Sequence, residues 1–404
     1  MAVTAAISAL SVLAAACSGG DGPDAQQSTT AAIAPAGTTA LPVSSTVAPI
    51  TAVPTTVAPA PTTVATPKNF AVNGTQIIDP DGKVFYPVGA NFNGPDWVWP
   101  FATAGLADTA KNVWKWNIAR LDSCLPIGCD VPDKAHSTVN NDLDGLVKEF
   151  TDRKMVVLIV LNQVRSGTFP SAQRFADIQQ WWSDVATRFK DNPYVWFGPL
   201  AENGNSLNAQ AQPVIDQWFD LHAQLIQTIR ATGAKNPIVV NGTQWGQEVN
   251  LNTVNPVPDS GSAILTRGPE LLAIDPNIIF DLHVYDQWGG LNSDAARDAR
   301  LRNFFERVQE KNMAMIIAET GGYSAQDGTS SGSDLARLLA RATKSAYRVA
   351  PSMGIGIIAW HAQPGDGFAL TIPGSFTTLG NNDAPTTLSW HGRLMWDLTR
   401  NPPV

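Results

Sequence analysis

The chain has 404 residues, 44% of them hydrophobic, which is enough for one large domain or two ordinary ones. Its formal net charge is −8, with only 27 Lys plus Arg, a balance that argues against nucleic-acid binding. Thirteen Trp is a high count, and the indole is a flat apolar plate with one donor, suited to sugar faces as well as to protein cores.

Residues 1–17, "MAVTAAISALSVLAAAC", form an apolar segment too short to span a bilayer and read as a secretory signal. Leu13-Ala14-Ala15-Ala16-Cys17 resembles a bacterial lipobox, which implies lipidation of Cys17; Ala14 stands where leucine is usual, and a plain cleaved signal is the alternative. Residues 18–67 are Ala, Thr, Pro, Ser and Val with almost no charge, a composition that cannot bury a core and reads as a flexible tether. The first basic residue is Lys68, and the folded domain is expected to begin there. This arrangement predicts an exported, monomeric protein, extracellular or at the cell surface, that meets the membrane only through a lipid anchor. Cys124 and Cys129, in "CLPIGC", have a spacing that in an exported protein favours a small-loop disulfide. Without a nearby histidine pair they make a poor zinc site, and neither metal nor cofactor is expected.

Within the domain, "VFYPVGAN" (84–91) and "NIARLDS" (117–123) read as strands, and "MVVLIVL" (155–161) as a strand covered on both faces. Phe175, Ile178, Trp181, Trp182, Val185 and Phe189 recur at helical spacing and predict a core-facing helix over 173–190. Strands follow at 194–201, 237–242, 277–285, 313–319 and 354–360, with helices near 213–231, 293–311, 333–349 and 388–399. Strands alternating with helices predict a parallel α/β fold, and eight such units in the remaining length fit a (β/α)8 TIM barrel. A doubly wound open sheet is the runner-up, without the glycine-rich phosphate loop its nucleotide-binding version needs.

In such a barrel chemistry sits at the C-terminal strand ends. Glu202 ends the fourth strand and Glu319 the seventh, so both acids face one cleft. Cleavage of a glycosidic bond needs such a pair: one acid protonates the leaving oxygen and one carboxylate attacks the anomeric carbon, at a separation of about 5–5.5 Å for the retaining route.

From "GTQIIDPDGKVFYPVGANFNG" onward the chain resembles glycoside hydrolase family 5, within the clan of retaining (β/α)8 glycosidases. "NIARLD" is similar to its second strand, "NPYVWFGPLAEN" to its fourth, "FDLHVY" to its sixth, "IIAETGG" to its nucleophile strand and "GIIAW" to its eighth. The resemblance implies Glu319 as nucleophile and Glu202 as acid/base. It further implies Arg120, Asn91, His283, Tyr285 and Trp360 around them, and an endo-acting enzyme on β-1,4-glucan or a related polysaccharide. Ala201 stands where the family has the asparagine that binds the sugar 2-hydroxyl. Asn162 and Gln163 stand where many members end the third strand in histidine. Trp245, Trp288 and Trp360 close strands or open loops and are expected to stack on sugars.

Two other readings compete. "GTSSG" (328–332), with Asp366 and His391 after it, formally fits a serine-hydrolase elbow, but no strand runs into the serine; it reads as a polar loop capping the next helix. Ala201 and the absent third-strand histidine also fit a catalytically impaired, carbohydrate-binding surface lipoprotein with the same fold.

Overall fold

Short runs of Val, Ile, Leu and Phe close into a parallel barrel in the computed structural model. It describes residues 69–93, 106–123, 143–161, 169–204, 211–249, 255–328, 332–362, 367–371 and 388–401, all within the unit Thr66–Val404. Cys17, the 18–67 segment, Cys124, Cys129 and Asn162 lie outside the described residues. A small antiparallel hairpin, β1 (Ala71–Asn73) and β2 (Gln76–Ile78), precedes the barrel. The barrel strands are β3 (Val88–Asn93), β4 (Ile118–Ser123), β5 (Val156–Leu161), β6 (Val195–Gly198), β7 (Ile238–Asn241), β8 (Ile278–Val284), β9 (Ala314–Thr320) and β10 (Gly356–Ala359). They pair in chain order, and β10 closes on β3, so the expected (β/α)8 architecture is the one observed.

The helices are α1 (Leu106–Asp108, continued by a π-turn over Thr109–Val113), α2 (Leu143–Thr151), α3 (Ala172–Phe189), α4 (Gln212–Ala231), α5 (Ala263–Ile274), α6 (Asp294–Glu310), α7 (Asp334–Val349) and α8 (Trp390–Arg400). Serine caps recur: Ser171, Ser262, Ser293, Ser333 and Ser389 each accept a hydrogen bond from a backbone N–H of the first turn. Each such cap contributes about 1 kcal/mol. Ser333, next after "GTSSG", caps α7, and His391 Nε2 meets the Tyr347 hydroxyl at 3.1 Å; residues 329–331 of that segment and Asp366 lie outside the described residues.

Side chains alternate across each strand. Val156, Leu158 and Val160 join Ile118, Trp196, Val239, Ile279, Ile316 and Ile358 inside the barrel. Val157, Ile159 and Leu161 face the helices, where Trp181 and Trp182 of α3 lie in the outer core as their spacing predicted. Phe70 and Ile77 plug the barrel base, Phe70 packing edge-on to Trp196 with centroids 5.3 Å apart. The closed apolar base leaves the polar inward positions for the opposite, C-terminal rim.

Candidate active site

The inward register turns polar at the top of the strands. Asn91 of β3 pairs with Arg120 of β4, and both are fully buried. Arg120 Nη1 donates to Asn91 Oδ1 and to Asp122 Oδ1 at 2.8 Å, and forms an ion pair with Glu319 Oε1 at 2.7 Å. A buried guanidinium needs such carboxylates, and burial, which alone would lower its pKa, is outweighed by Asp122, Glu319, Asp281 and Glu202. Asn91 spends its amide on the carbonyls of Ala318, at 2.8 Å, and Ala359, at 3.2 Å. Placed by the sequence around the two acids, Asn91 and Arg120 both lie fully buried beneath Glu319, and every polar atom of the Asn91 side chain is engaged.

Glu319 receives a second donor, the Tyr285 hydroxyl, 3.0 Å from Oε2. Burial, then the charges of Glu319 and Glu202, push the Tyr285 phenol well above its ordinary range, so it stays a donor. Burial also raises the Glu319 carboxyl, opposed by His283 and Arg120 and reinforced by Glu202, to about 7.

His283 stands between the two acids. A bulge between Leu282 and His283 shifts the β8–β9 register so that His283 pairs with Glu319. Its Nδ1 lies 3.1 Å from Glu202 Oε1; its Nε2 lies 3.3 Å from Asp281 Oδ2 and 3.6 Å from Glu319 Oε1. Burial alone would lower the imidazole pKa, but Glu319, Asp281 and Glu202 hold it up to about 10. One carboxylate oxygen from each glutamate and a His283 nitrogen lie within 4.8 Å of one another. A metal there would have to displace the imidazole proton.

Glu202 follows β6 and sits at φ +57, a conformation uncommon for a non-glycine residue. Its N–H is held by Asn241 Oδ1 at 2.7 Å. Ala201 packs into the inner core instead of reaching the cleft, and Asn203 Nδ2 folds back onto the Ala201 carbonyl at 2.8 Å.

The aromatic residues divide. Trp360 is half-buried beside the Glu319 side of the cleft, its N–H on Thr320 O at 2.9 Å. Trp245 is half-buried in a turn whose Gln244 N–H reaches Gly204 O at 3.3 Å, two residues past Glu202. Trp288, expected to stack on sugar, is instead 2% exposed: its Nε1 donates to Gln247 O at 3.0 Å and its ring packs on Phe304. A tryptophan opening a loop is not thereby exposed, because the loop folds back on α6.

Asn241 and Asp281 were not singled out from the sequence. The signal was present: Val239-x-Asn241 and Ile279-x-Asp281-x-His283 put polar residues in the inward register of otherwise apolar strands.

A parallel (β/α)8 barrel with two rim carboxylates from its fourth and seventh strands, the latter held by Arg and Tyr, defines the class of barrel glycosidases. The chain belongs to the cellulase family, glycosyl hydrolase family 5, whose model matches residues 78–366. It is 27% identical over 152 residues to the manganese dependent endoglucanase Eg5A of Phanerodontia chrysosporium, covering 36% of each chain. It is 22% identical over 171 residues to a mannan endo-1,4-beta-mannosidase of Cellvibrio japonicus, covering 41% of this chain and 33% of that one. These matches span only about a third of the length of those relatives. Among solved structures, the mannanase catalytic domain from Streptomyces sp. SirexAA-E superposes with a TM-score of 0.59 at 17% identity, over 86% of this chain and 94% of that one. The Thermobifida fusca endoglucanase Cel5A catalytic domain gives 0.57 at 17%, over 82% and 97%. At such identity these two show the shared fold.

Proposed function

We propose that this protein is a retaining β-glycosidase that cleaves β-1,4-glucan or β-mannan within the chain. The reading is carried by the carboxylate oxygens of Glu202 and Glu319 lying within 4.8 Å. With one oxygen of each residue this close, the pair fits the about 5–5.5 Å carboxyl separation of a nucleophile and acid/base pair. The substrate class draws on the relatives named endoglucanase and mannan endo-1,4-beta-mannosidase.

Glu319 is the nucleophile, because the Arg120 charge lies against one of its oxygens and the Tyr285 hydroxyl donates to the other, and both favour its ionised form. One of those oxygens bonds to the anomeric carbon as the bond to the leaving oxygen breaks. Glu202 delivers the proton to that oxygen; its side chain is more open, 18% exposed against 5% for Glu319, and its Oε1 faces His283. Glu202 then takes a proton from water, whose oxygen displaces Glu319 from the sugar, restoring both carboxyl groups. Trp360 floors the reacting sugar on the nucleophile side, and Trp245 lies on the side of the departing sugar. With Ala201 in place of asparagine, the 2-hydroxyl loses one transition-state contact.

The same reading makes the enzyme exported and monomeric, anchored through a lipidated Cys17 on the 18–67 tether, with Cys124 and Cys129 bridged. These features rest on the lipobox-like segment, the uncharged tether and the cysteine spacing. Mass spectrometry of the mature N terminus tests the anchor; an unmodified terminus elsewhere ends it.

A panel of β-glycans with reducing-end detection, run on wild type and Glu319→Ala, tests the activity. Wild type should release reducing ends, the variant should lose about 10⁴-fold or more, and azide should restore turnover of an activated aryl glycoside. A wild type that binds a β-glycan and releases nothing from any of the panel leaves the protein a carbohydrate-binding one.

A further inference from the structure

The bulge in the β8–β9 ladder leaves one residue without a pairing position: Leu282 faces Ile317 and His283 faces Glu319, so Ala318 is passed over. Its N–H is nevertheless satisfied, by Asp281 Oδ1 at 3.0 Å. The other oxygen, Oδ2, accepts from Asn241 Nδ2 at 2.9 Å. Asn241 Oδ1 in turn accepts from the Glu202 N–H at 2.7 Å. The chain of contacts thus runs from the backbone of Glu202 to the amide just before Glu319, with Asp281 at its centre. Asp281 and Asn241 are 2% and 4% exposed, so water competes little for these bonds.

We propose that Asp281 is a positioning residue that fixes the two carboxylates relative to each other and holds His283, 3.3 Å away, in place between them. The proposal rests on the glycosidase reading and adds a residue to it. Every bond in the chain has a fixed direction. Asp281 has only acceptors to offer, and both of its neighbours present donors. Asn241 then has its amide turned to Asp281 and its carbonyl turned to Glu202, which is the one orientation that suits both. The charges around His283 are Asp281 on its own strand, Glu202 after β6, Glu319 on β9, and Arg120 and Asp122 on β4, with the Tyr285 phenol beside Glu319.

Asp281→Asn keeps the shape and removes both the charge and the second acceptor. If its new carbonyl serves Ala318, its new amide confronts the amide of Asn241. Two readouts in the full chain separate a positioning role from a merely structural one. The first is the NMR titration of the His283 ring, assigned through His283→Asn. Its midpoint in wild type should lie well above the ordinary imidazole value, near about 10, and should fall by about one unit or more in Asp281→Asn. The second is kcat/KM on the glycan the wild type cleaves, compared with a dinitrophenyl glycoside of the same sugar. The natural glycan, whose leaving group needs Glu202 as acid, should lose on the order of tenfold or more. The dinitrophenyl substrate, whose leaving group does not, should lose less than about threefold. Asn241→Ala breaks both the Glu202 link and the Asn241–Asp281 bond but keeps the Asp281 charge and its bond to Ala318, so it should give the same leaving-group dependence with the His283 midpoint moved less than in Asp281→Asn. This second variant carries the test if Asp281→Asn does not fold. An unmoved midpoint in Asp281→Asn, or equal loss on both substrates in either variant, overturns the proposal. A wild type inactive on every glycan overturns the glycosidase reading, while the His283 midpoint still decides the link to Asp281.

Discussion

Tyr285 and Arg120 hold Glu319 from two directions, and each can be removed without touching the carboxylate. Tyr285→Phe deletes one hydroxyl, 3.0 Å from Glu319 Oε2, and leaves the ring in place. A hydrogen bond to a charged group is worth about 1.5–3 kcal/mol, so kcat should fall about 10- to 100-fold. Losing a donor to the ionised form moves the carboxyl upward from about 7. The acid limb of the kcat/KM profile should therefore shift toward higher pH, because activity is lost as Glu319 takes up its proton. A pH series on an activated aryl glycoside checks both; an unshifted limb would mean that the hydroxyl does not act on Glu319. At this scale the sequence pointed to both acids, to Arg120 and to His283-x-Tyr285, since each sits at a strand end or in an inward register. It did not separate residues that touch sugar from those that support them. Asn91 illustrates why: what consumes its side chain are carbonyls of β9 and β10, more than two hundred residues away.

The turn after β7 is the element that sequence periodicity could not describe. Gln244, Trp245 and Glu248 have φ of +55, +58 and +62, and Gly246 has +70, so the chain makes a left-handed turn. Single left-handed residues cost roughly 1–2 kcal/mol each for non-glycine types, and such strain persists only where the surroundings impose it. The buried Glu248 carboxylate imposes it, accepting from Thr243 N at 2.7 Å, Thr243 Oγ1 at 3.2 Å and Ile264 N at 3.1 Å, with the Ser262 hydroxyl as a further donor. Gly246 lies directly over the site: an added Cβ would fall 2.5 Å from Asn241 Nδ2 and 2.7 Å from His283 Cγ. Gly233, at φ +86, has nothing within 4 Å of the same position. Gly233→Ala should therefore cost about 1 kcal/mol of stability through backbone strain alone and leave kcat unchanged. Gly246→Ala should cost more and lower kcat at least about tenfold, by displacing Asn241 and His283. Thermal unfolding and turnover of the pair check this, and equal effects would refute it. The barrel strands were legible because continuous apolar runs mark strands covered on both faces, and their ends fell within a few residues of the expected bounds. The β1–β2 hairpin, with strands of three residues, is too short for a period to register. Helix α5 carries Gly268 and Pro269 inside it, which masks a real helix behind two residues that ordinarily break one.

Across the whole molecule, buried histidines pull stability in opposite directions with pH. His222 in α4 is held down to about 4 by burial, partly offset by its bond to Trp218 O, and His391 in α8 to about 3 by burial and then His361. Unfolded, both return to about 6.5. Below that value the unfolded chain binds protons that the folded one refuses, so their contribution is full above 6.5 and lost as pH falls through about 4 and 3. Each shift corresponds to a few kcal/mol, about 1.4 per unit. Glu319 acts the other way: folded, it keeps a proton up to about 7 that the unfolded chain has released, so its share declines as pH rises across that window. His283 has the same sign, contributing fully below 6.5 and losing its contribution as pH rises through about 10. Among these four groups, two histidines outweigh one carboxyl on the acid side, and above about 7, where Glu319 has already released its proton, His283 acts alone. Stability should therefore peak near pH 6.5 and fall on both sides by about 1.4 kcal/mol per unit. Denaturant midpoints measured from pH 4 to 9 test the peak. His391→Phe should remove one proton's worth of slope below 6.5 and leave the alkaline side as it was. A variant with an unchanged acid slope would show that His391 is not held neutral in the folded protein.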